Sequence, residues 1–223
     1  MNKAADGETV VVIAAHPDDE ILGGGATFAK RLARGERVHA VVVCEGESVR
    51  YQGKGISQQE QAQTAARTLG FTSFRCLMLP DQRLDTFSQI DLNRKIEAVL
   101  DELRPDVVYT HFAGDINRDH QVIHDSVMVA ARPGQNLIRE LLAFETPSAT
   151  GLWTKHAFNP DTFEVVADTL DVKLAAMACY ETEVPAFPHP RSIESLRYRA
   201  YYWGNIVHKV AAEAFMTLRR IRS

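Results

Sequence analysis

Apolar positions along this chain fall into short continuous runs, separated by longer stretches in which they recur at helical spacing. The runs are TVVVIAA (9–15), VHAVVVC (38–44), FRCLML (74–79) and DVVYTH (106–111). Several are rich in β-branched residues and lack alternation, which predicts strands covered on both faces. The intervening stretches predict helices over about 19–33, from Ser57 to Leu69, over 88–103 and over about 120–131. Arg34-Gly35, Gly70, Arg104-Pro105 and Arg132-Pro133-Gly134 stop them, and Ser57 with Glu60 makes a capping box. This βαβα alternation implies an α/β fold: a mostly parallel sheet with helices on both faces, joined by right-handed crossovers.

Beyond Gly134 the pattern loosens. LLAFE (141–145) and TFEVVA (162–167) read as further strands, Leu170–Tyr180 and Ile193–Lys209 as helices, and VPAFPHPRS as loop. No repeat, low-complexity tract or linker interrupts the 223 residues, so a single domain over 1–223 with an irregular C-terminal part is expected.

Composition narrows the function classes. A chain that is 45% hydrophobic fills a sizeable core. The balance of 25 basic against 29 acidic side chains, a net charge of -4, argues against a general nucleic-acid binder. The basic C-terminal LRRIRS reads as a solvated tail, although phosphate or lipid head groups could meet it. AYYWGNIV offers either core or a homo-oligomer interface. Cys44, Cys76 and Cys179 form no CxxC pair, so neither a disulfide framework nor a thiolate zinc site is indicated. The N-terminal apolar run is too short for a signal sequence or a membrane span, so a soluble cytoplasmic protein is expected.

Candidate chemistry sits at the strand ends, where open parallel sheets bind ligands. AAHPDDE follows the first strand, CEGES the second and FAGDINRDH the fourth. His16 and Asp19 lie three residues apart, with Pro17 biasing His16 away from helix, and His120 opens the helix after the fourth strand. His, Asp and His make a three-ligand set with open positions, the arrangement of a catalytic zinc site, although Fe(II), Co(II) or Mn(II) also suit it. A cation there would offset the repulsion among Asp18, Asp19 and Glu20, as would the helix N-terminus. Taken singly, those acids are equally explained as favourable first-turn residues, and His16 as a cap. Asp18 is then spare and suited to act as general base in metal-assisted hydrolysis of a carbonyl compound. Gly23–Gly25 lacks the GxGxxG spacing of a dinucleotide site and suits close packing of helix on sheet.

These residues carry a family resemblance. AHPDDEILGGGA, LPDQRLD, GDINRDHQVIH, HPRS and AEAF together resemble the PIG-L/LmbE-like family of metal-dependent N-acetylglucosamine deacetylases, from about Thr9 nearly to the end. The resemblance implies a Rossmann-like fold, His16, Asp19 and His120 as zinc ligands, and Asp18 as general base. It further implies attack of zinc-bound water on the acetamide of a small N-acetylated sugar, nucleotide sugar or glycoconjugate, releasing acetate and an amine.

One position departs from the family. Members carry a His three residues before the metal-binding His, where this chain has Asn117. An amide donates a hydrogen bond to an oxyanion but cannot act as an acid. Either Asp18 makes both proton transfers, or His124 or Tyr51 supplies one. His124, a turn beyond His120, is equally explained as a packing or capping residue. Asp119 suits orientation of a neighbouring ligand. Arg50 and Tyr51 are placed to reach a sugar hydroxyl or phosphate, and Asp81, Arg83 and Asp85 to bond the sugar, with Arg83 as readily a structural ion-pair partner. His189 and Arg191 belong to a wall of the cleft. The alternative to a deacetylase is a catalytically inactive sugar- or nucleotide-binding protein of the same fold.

Overall fold

The computed structural model describes residues 7–51, 53–134, 138–151 and 156–222. Four strands, β1 (Thr9–Ala14), β2 (Arg37–Cys44), β3 (Ser73–Leu79) and β4 (Val107–His111), alternate with α1 (Asp19–Ala33), α2 (Gln58–Leu69), α3 (Gln89–Leu103) and α4 (Arg118–Ala130). Then come β5 (Glu140–Phe144), β6 (Thr162–Val165), α5 (Leu170–Ala178), α6 (Ile193–Ile206) and β7 (Ala212–Arg220). The seven strands form one sheet in the order β3-β2-β1-β4-β5-β7-β6. The first five are parallel, and β7 runs antiparallel to both β5 and β6.

Period-2 alternation divides β1 between two cores. Val10, Val12 and Ala14 pack with residues of α1, α2, α5 and α6, whereas Val11 and Ile13 pack with residues of α3 and α4. Helices therefore cover both faces, as the continuous apolar runs require. No helix among the described residues is long and apolar enough to cross a membrane.

The C-terminal part departs from expectation. LRRIRS is no free tail: Leu218, Arg219 and Arg220 belong to β7, which pairs with β5 and β6 inside the sheet. Arg220 Nε donates to Glu140 Oε1 at 2.7 Å, an ion pair across the two strands on the exposed surface. The last helix ends at Ile206, short of Lys209, because the chain turns at His208 (φ 55°) and Lys209 N–H bonds back to the Gly204 carbonyl at 2.8 Å. In α6, Tyr201 and Tyr202 are exposed while Ala200 and Gly204 are buried.

The glycine triplet bends α1. Gly24 (φ −161°, ψ 22°) leaves helical geometry, and a Cβ on Gly23 would stand 2.3 Å from the Phe144 ring of β5. Leu22 C=O and Ala26 N–H are i→i−4 partners in a regular helix. Here Lys173 Nζ donates to that carbonyl at 2.8 Å, while Glu213 accepts from Ala26 N–H at 3.3 Å and Thr27 N–H at 2.7 Å. Lys173 and Glu213 close the circuit at 2.6 Å, both buried. A buried ion pair thus satisfies backbone groups at the bend, which accounts for the Glu of AEAF.

Candidate metal centre and active site

The sheet brings the carboxyl ends of β1 and β4 side by side, since these strands are hydrogen-bonded neighbours. His16 and Asp19 come from the turn after β1, and His120 from the first turn of α4. Three of their atoms form a nearly equilateral triangle: His16 Nδ1, Asp19 Oδ2 and His120 Nε2 lie 3.2 Å from one another on every side. Bonds of ~2.0–2.1 Å at tetrahedral angles place zinc ligands roughly 3.3 Å apart, so the donor set fits a divalent cation in both chemistry and size. The His16 N–H also donates to Asp19 Oδ2 at 2.9 Å, which locks the turn.

The outward nitrogens are supported by carboxylates. His16 Nε2 lies 3.1 Å from Asp119 Oδ2, and His120 Nδ1 lies 3.0 Å from Asp115 Oδ2. Such carboxylate–histidine pairs fix the tautomer and orientation of metal-ligating imidazoles. Asp119 is itself held by the Leu84 N–H at 3.0 Å, and Asp115 by the Thr150 hydroxyl at 3.0 Å. Burial opposes charge on His120, but Asp19 and Asp115 overcome it and raise the imidazole to about 9. His16 is likewise raised, against burial, by Asp119 and Asp19. Asp19, despite burial, is held low, first of all by His120. The surroundings favour positive charge at the centre of the triangle. Cys44, whose Sγ stands 3.6 Å from Asp119, is pushed by burial up to about 12 and stays a thiol.

The acidic run separates into three environments. Asp19 faces the histidines. Glu20 turns into the core, where Oε1 accepts from Tyr180 Oη at 2.5 Å and Oε2 from the Asp18 N–H at 3.1 Å. Burial raises Glu20 to about 7. Asp18 occupies the N-cap of α1 at φ 105°, a left-handed conformation costing a non-glycine residue about 1–3 kcal/mol. Its Oδ2 accepts from Arg191 Nη1 at 2.9 Å. Burial, then Asp19, push this carboxyl well above its usual range, and Arg191 opposes them.

Arg191 is anchored in turn. The same Nη1 donates to buried Glu183 at 3.1 Å, and Glu183 also accepts from Arg50 at 3.0 Å and Tyr51 Oη at 2.7 Å. The HPRS segment therefore delivers Arg191 to Asp18, with Arg191 N–H bonded to His189 Nδ1 at 3.1 Å. Arg50 and Tyr51 both join this carboxylate network, and Arg50 remains 45% exposed.

The other expected residues are distributed unevenly. Asn117 caps α4, its Oδ1 accepting from the Asp119 N–H at 2.9 Å and its Nδ2 lying 3.4 Å from Gln82 Oε1. His124 is buried one turn beyond His120, with Nδ1 2.8 Å from the His111 carbonyl oxygen. Arg83 and Asp85 are exposed around the 3₁₀ turn Leu84–Thr86. Their neighbours reach the site instead: Gln82 Nε2 lies 3.1 Å and Asp81 Oδ1 3.4 Å from His16 Nε2.

His111 is the residue sequence reasoning missed. It ends β4, and its ring stacks on His120 at 3.9 Å and 20°. Its Nε2 accepts the Ala15 N–H at 2.8 Å, and its Nδ1 lies 3.2 Å from the Thr146 hydroxyl. Burial, then His120, hold it well below the usual histidine range, so it is a neutral imidazole beside Asp19. Its signal was a histidine closing a predicted strand at the ligand-binding edge.

Residues 11–131 match the PIG-L family model, described as GlcNAc-PI de-N-acetylase. The uncharacterized deacetylase YaiS of Escherichia coli K12 is 31% identical over 188 residues, covering 79% of this chain and 92% of that protein. A 1D-myo-inositol 2-acetamido-2-deoxy-alpha-D-glucopyranoside deacetylase of Saccharopolyspora erythraea is 26% identical, covering 78% of this chain and 77% of its own. In fold, the conserved protein TT1542 of Thermus thermophilus superposes with a TM-score of 0.81 at 22% identity, over 97% of both chains. With the His-Asp-His triangle standing at the strand ends inside the matched segment, the chain belongs to the PIG-L family of deacetylases, hydrolases of N-acetyl sugar amides.

Proposed function

We propose that this protein is a zinc-dependent N-deacetylase that hydrolyses the acetamide of an N-acetylglucosamine-type sugar in the cytoplasm, releasing acetate and the free amine. One observation carries the reading: three donor atoms 3.2 Å apart, each histidine backed by a carboxylate, with Asp18, next to Asp19 in the chain, held apart by Arg191. His16 Nδ1, Asp19 Oδ2 and His120 Nε2 would hold the metal. Zinc, when bound, supplies a Lewis acid for the amide carbonyl and acidifies water.

The chain's own groups then divide the work. Asp18 takes a proton from the attacking water as general base, and its strained backbone and the Arg191 hydrogen bond hold the carboxylate in one orientation. The Arg191 charge favours the ionised form of Asp18, in opposition to burial and Asp19, which raise the carboxyl. Asp18 subsequently returns that proton to the leaving nitrogen, because the side-chain oxygen of Asn117 caps α4 and its amide has no acidic proton to give. His111, neutral through the Ala15 N–H, shields Asp19 and packs His120 in place.

The test combines metal analysis with acetate release. Purified protein should bind one zinc per chain, melt at a higher temperature with zinc than after chelation, and release acetate from N-acetylated sugars. His120→Ala should lose zinc and turnover together. Stoichiometric zinc with no acetate from any N-acetylated sugar would favour the inactive binding protein.

A further inference from the structure

Asp81 is fully buried, yet neither of its carboxylate oxygens meets a hydrogen-bond donor. Its backbone is well held: the Asp81 N–H donates to Glu45 Oε1 at 3.0 Å, fixing the loop after β3 against the end of β2. Its Oδ1 lies 3.4 Å from His16 Nε2. That nitrogen carries at most one proton, and Asp119 Oδ2, at 3.1 Å, stands closer to accept it. A buried carboxylate without partners is destabilising, and repulsion from Asp119 adds to that. This side of His16 therefore holds more acceptor than donor.

A thiol completes the group. Cys44, at the end of β2, places Sγ 3.6 Å from Asp119 Oδ2. The donor atoms of His16, Cys44 and Asp119 lie within 4.8 Å of one another, and all three residues are buried. Bonds of ~2.0–2.3 Å at tetrahedral angles separate nitrogen from oxygen ligands by roughly 3.3 Å, and sulfur from oxygen by roughly 3.5 Å. The separations here, 3.1 and 3.4 Å for nitrogen to oxygen and 3.6 Å for sulfur to oxygen, match. One nitrogen, one sulfur and two oxygens thus make a four-donor set on Nε2 of His16, whereas the triangle uses Nδ1. The donors come from four separate segments, so no CxxC spacing announces them. Gln82 Nε2 also lies 3.1 Å from His16 Nε2, but that side chain is exposed and can turn aside.

We propose that His16 Nε2, Cys44 Sγ, Asp81 Oδ1 and Asp119 Oδ2 form a second divalent-cation site, for zinc or a metal of similar thiolate affinity, sharing the His16 imidazole with the triangle. Binding displaces two protons, one from the Cys44 thiol and one from His16 Nε2, and the ring then bridges the two ions as imidazolate. Those deprotonations make the second ion bind more weakly than the first, so it loads when free metal is raised. The inference goes beyond the deacetylase reading and does not depend on it.

The experiment is equilibrium dialysis of the metal-free protein against rising free Zn(II), repeated with Co(II) and followed by absorption. The native protein should bind a second equivalent and develop the near-ultraviolet thiolate-to-cobalt charge-transfer band as that equivalent loads. Cys44→Ala should abolish the band. Both Cys44→Ala and Asp81→Asn should keep the first equivalent and weaken the second by more than the roughly 10–100-fold that loss of an outer-shell partner costs. His120→Ala removes a donor of the triangle alone, so it should lose the first equivalent and keep the band. Asp81→Asn is nearly isosteric and decides the question if Cys44→Ala does not fold. A single equivalent in the native protein, or a second one untouched by both substitutions, would overturn the site. A band lost in His120→Ala and undiminished in Asp81→Asn would put the thiolate in the first centre and overturn it equally.

Discussion

Arg191 Nη1 donates to Asp18 Oδ2 at 2.9 Å across 173 positions of sequence, and the same nitrogen is held by Glu183. This bond ties the proline-rich C-terminal loop to the first strand end, and it makes Arg191 a positioning residue for the Asp18 carboxylate. Arg191→Ala should therefore leave zinc content intact and lower kcat by about 10²-fold, the scale of a misplaced catalytic group. Metal analysis beside steady-state kinetics checks this. Turnover within twofold of the native protein would mean that Asp18 needs no partner.

Glu183 makes a graded version of the same prediction. Glu183→Gln keeps a single acceptor oxygen, enough for one of Arg50 (on Oε2) and Tyr51 (on Oε1), and removes the negative charge beside Arg191. The guanidinium then has Asp18 as its remaining ion partner in this network. The loss of kcat should be smaller than for Arg191→Ala, with melting temperature nearly unaltered. A loss equal to that of Arg191→Ala would assign Glu183 a part of its own.

Asp18 sets stability against turnover. Its φ of 105° is costly for aspartate and free for glycine, and its carboxylate is buried. Asp18→Gly should raise unfolding stability by on the order of 1 kcal/mol while abolishing acetate release. Asp18→Asn should retain zinc and lose most turnover. Denaturant unfolding and acetate assays read the two effects separately, and an active Asp18→Asn protein would remove the general-base assignment.

Gly23 is tight for a reason outside its own helix. A methyl group there would stand 2.3 Å from Phe144, whose ring also packs on His111. Gly23→Ala should destabilise the fold by about 1–3 kcal/mol through overpacking and reduce zinc affinity by shifting His111 against His120. Adding Phe144→Leu should recover part of both. No loss in the single variant would show that the ring moves freely.

The Lys173–Glu213 pair should behave as a buried unit. Glu213→Leu strands a buried ammonium and two backbone N–H groups, and should cost about 3–5 kcal/mol. The double variant Lys173→Met/Glu213→Leu should cost less than Glu213→Leu alone, since no unpaired charge remains. Comparison of denaturation midpoints for the three proteins decides it.

Local pattern carried far in this chain. Continuous β-branched runs such as TVVVIAA can be satisfied only by cover on both faces, so four parallel strands and their helices were legible without a structure. The clustering of His16, Asp19 and His120 was legible too, because His16 and Asp19 share one turn and His120 sits at a strand end that the topology must bring to the same edge. What resisted reading were choices of partner made across the chain. LRRIRS is charged and looks solvated, yet its first residues complete β7, because strand pairing depends on an open edge of β5 that the local sequence does not display. Arg83 and Gln82 are neighbours of similar polarity, and only the backbone turn at Gln82, φ 54°, decides that the amide faces His16. His111 ends an apolar strand like any core residue, and its stacking on His120 arises when α4 folds back over β4. Periodicity records which face of an element is buried. It does not record which distant side chain will be waiting there, and Arg191, Glu183 and His111 were selected by that second condition.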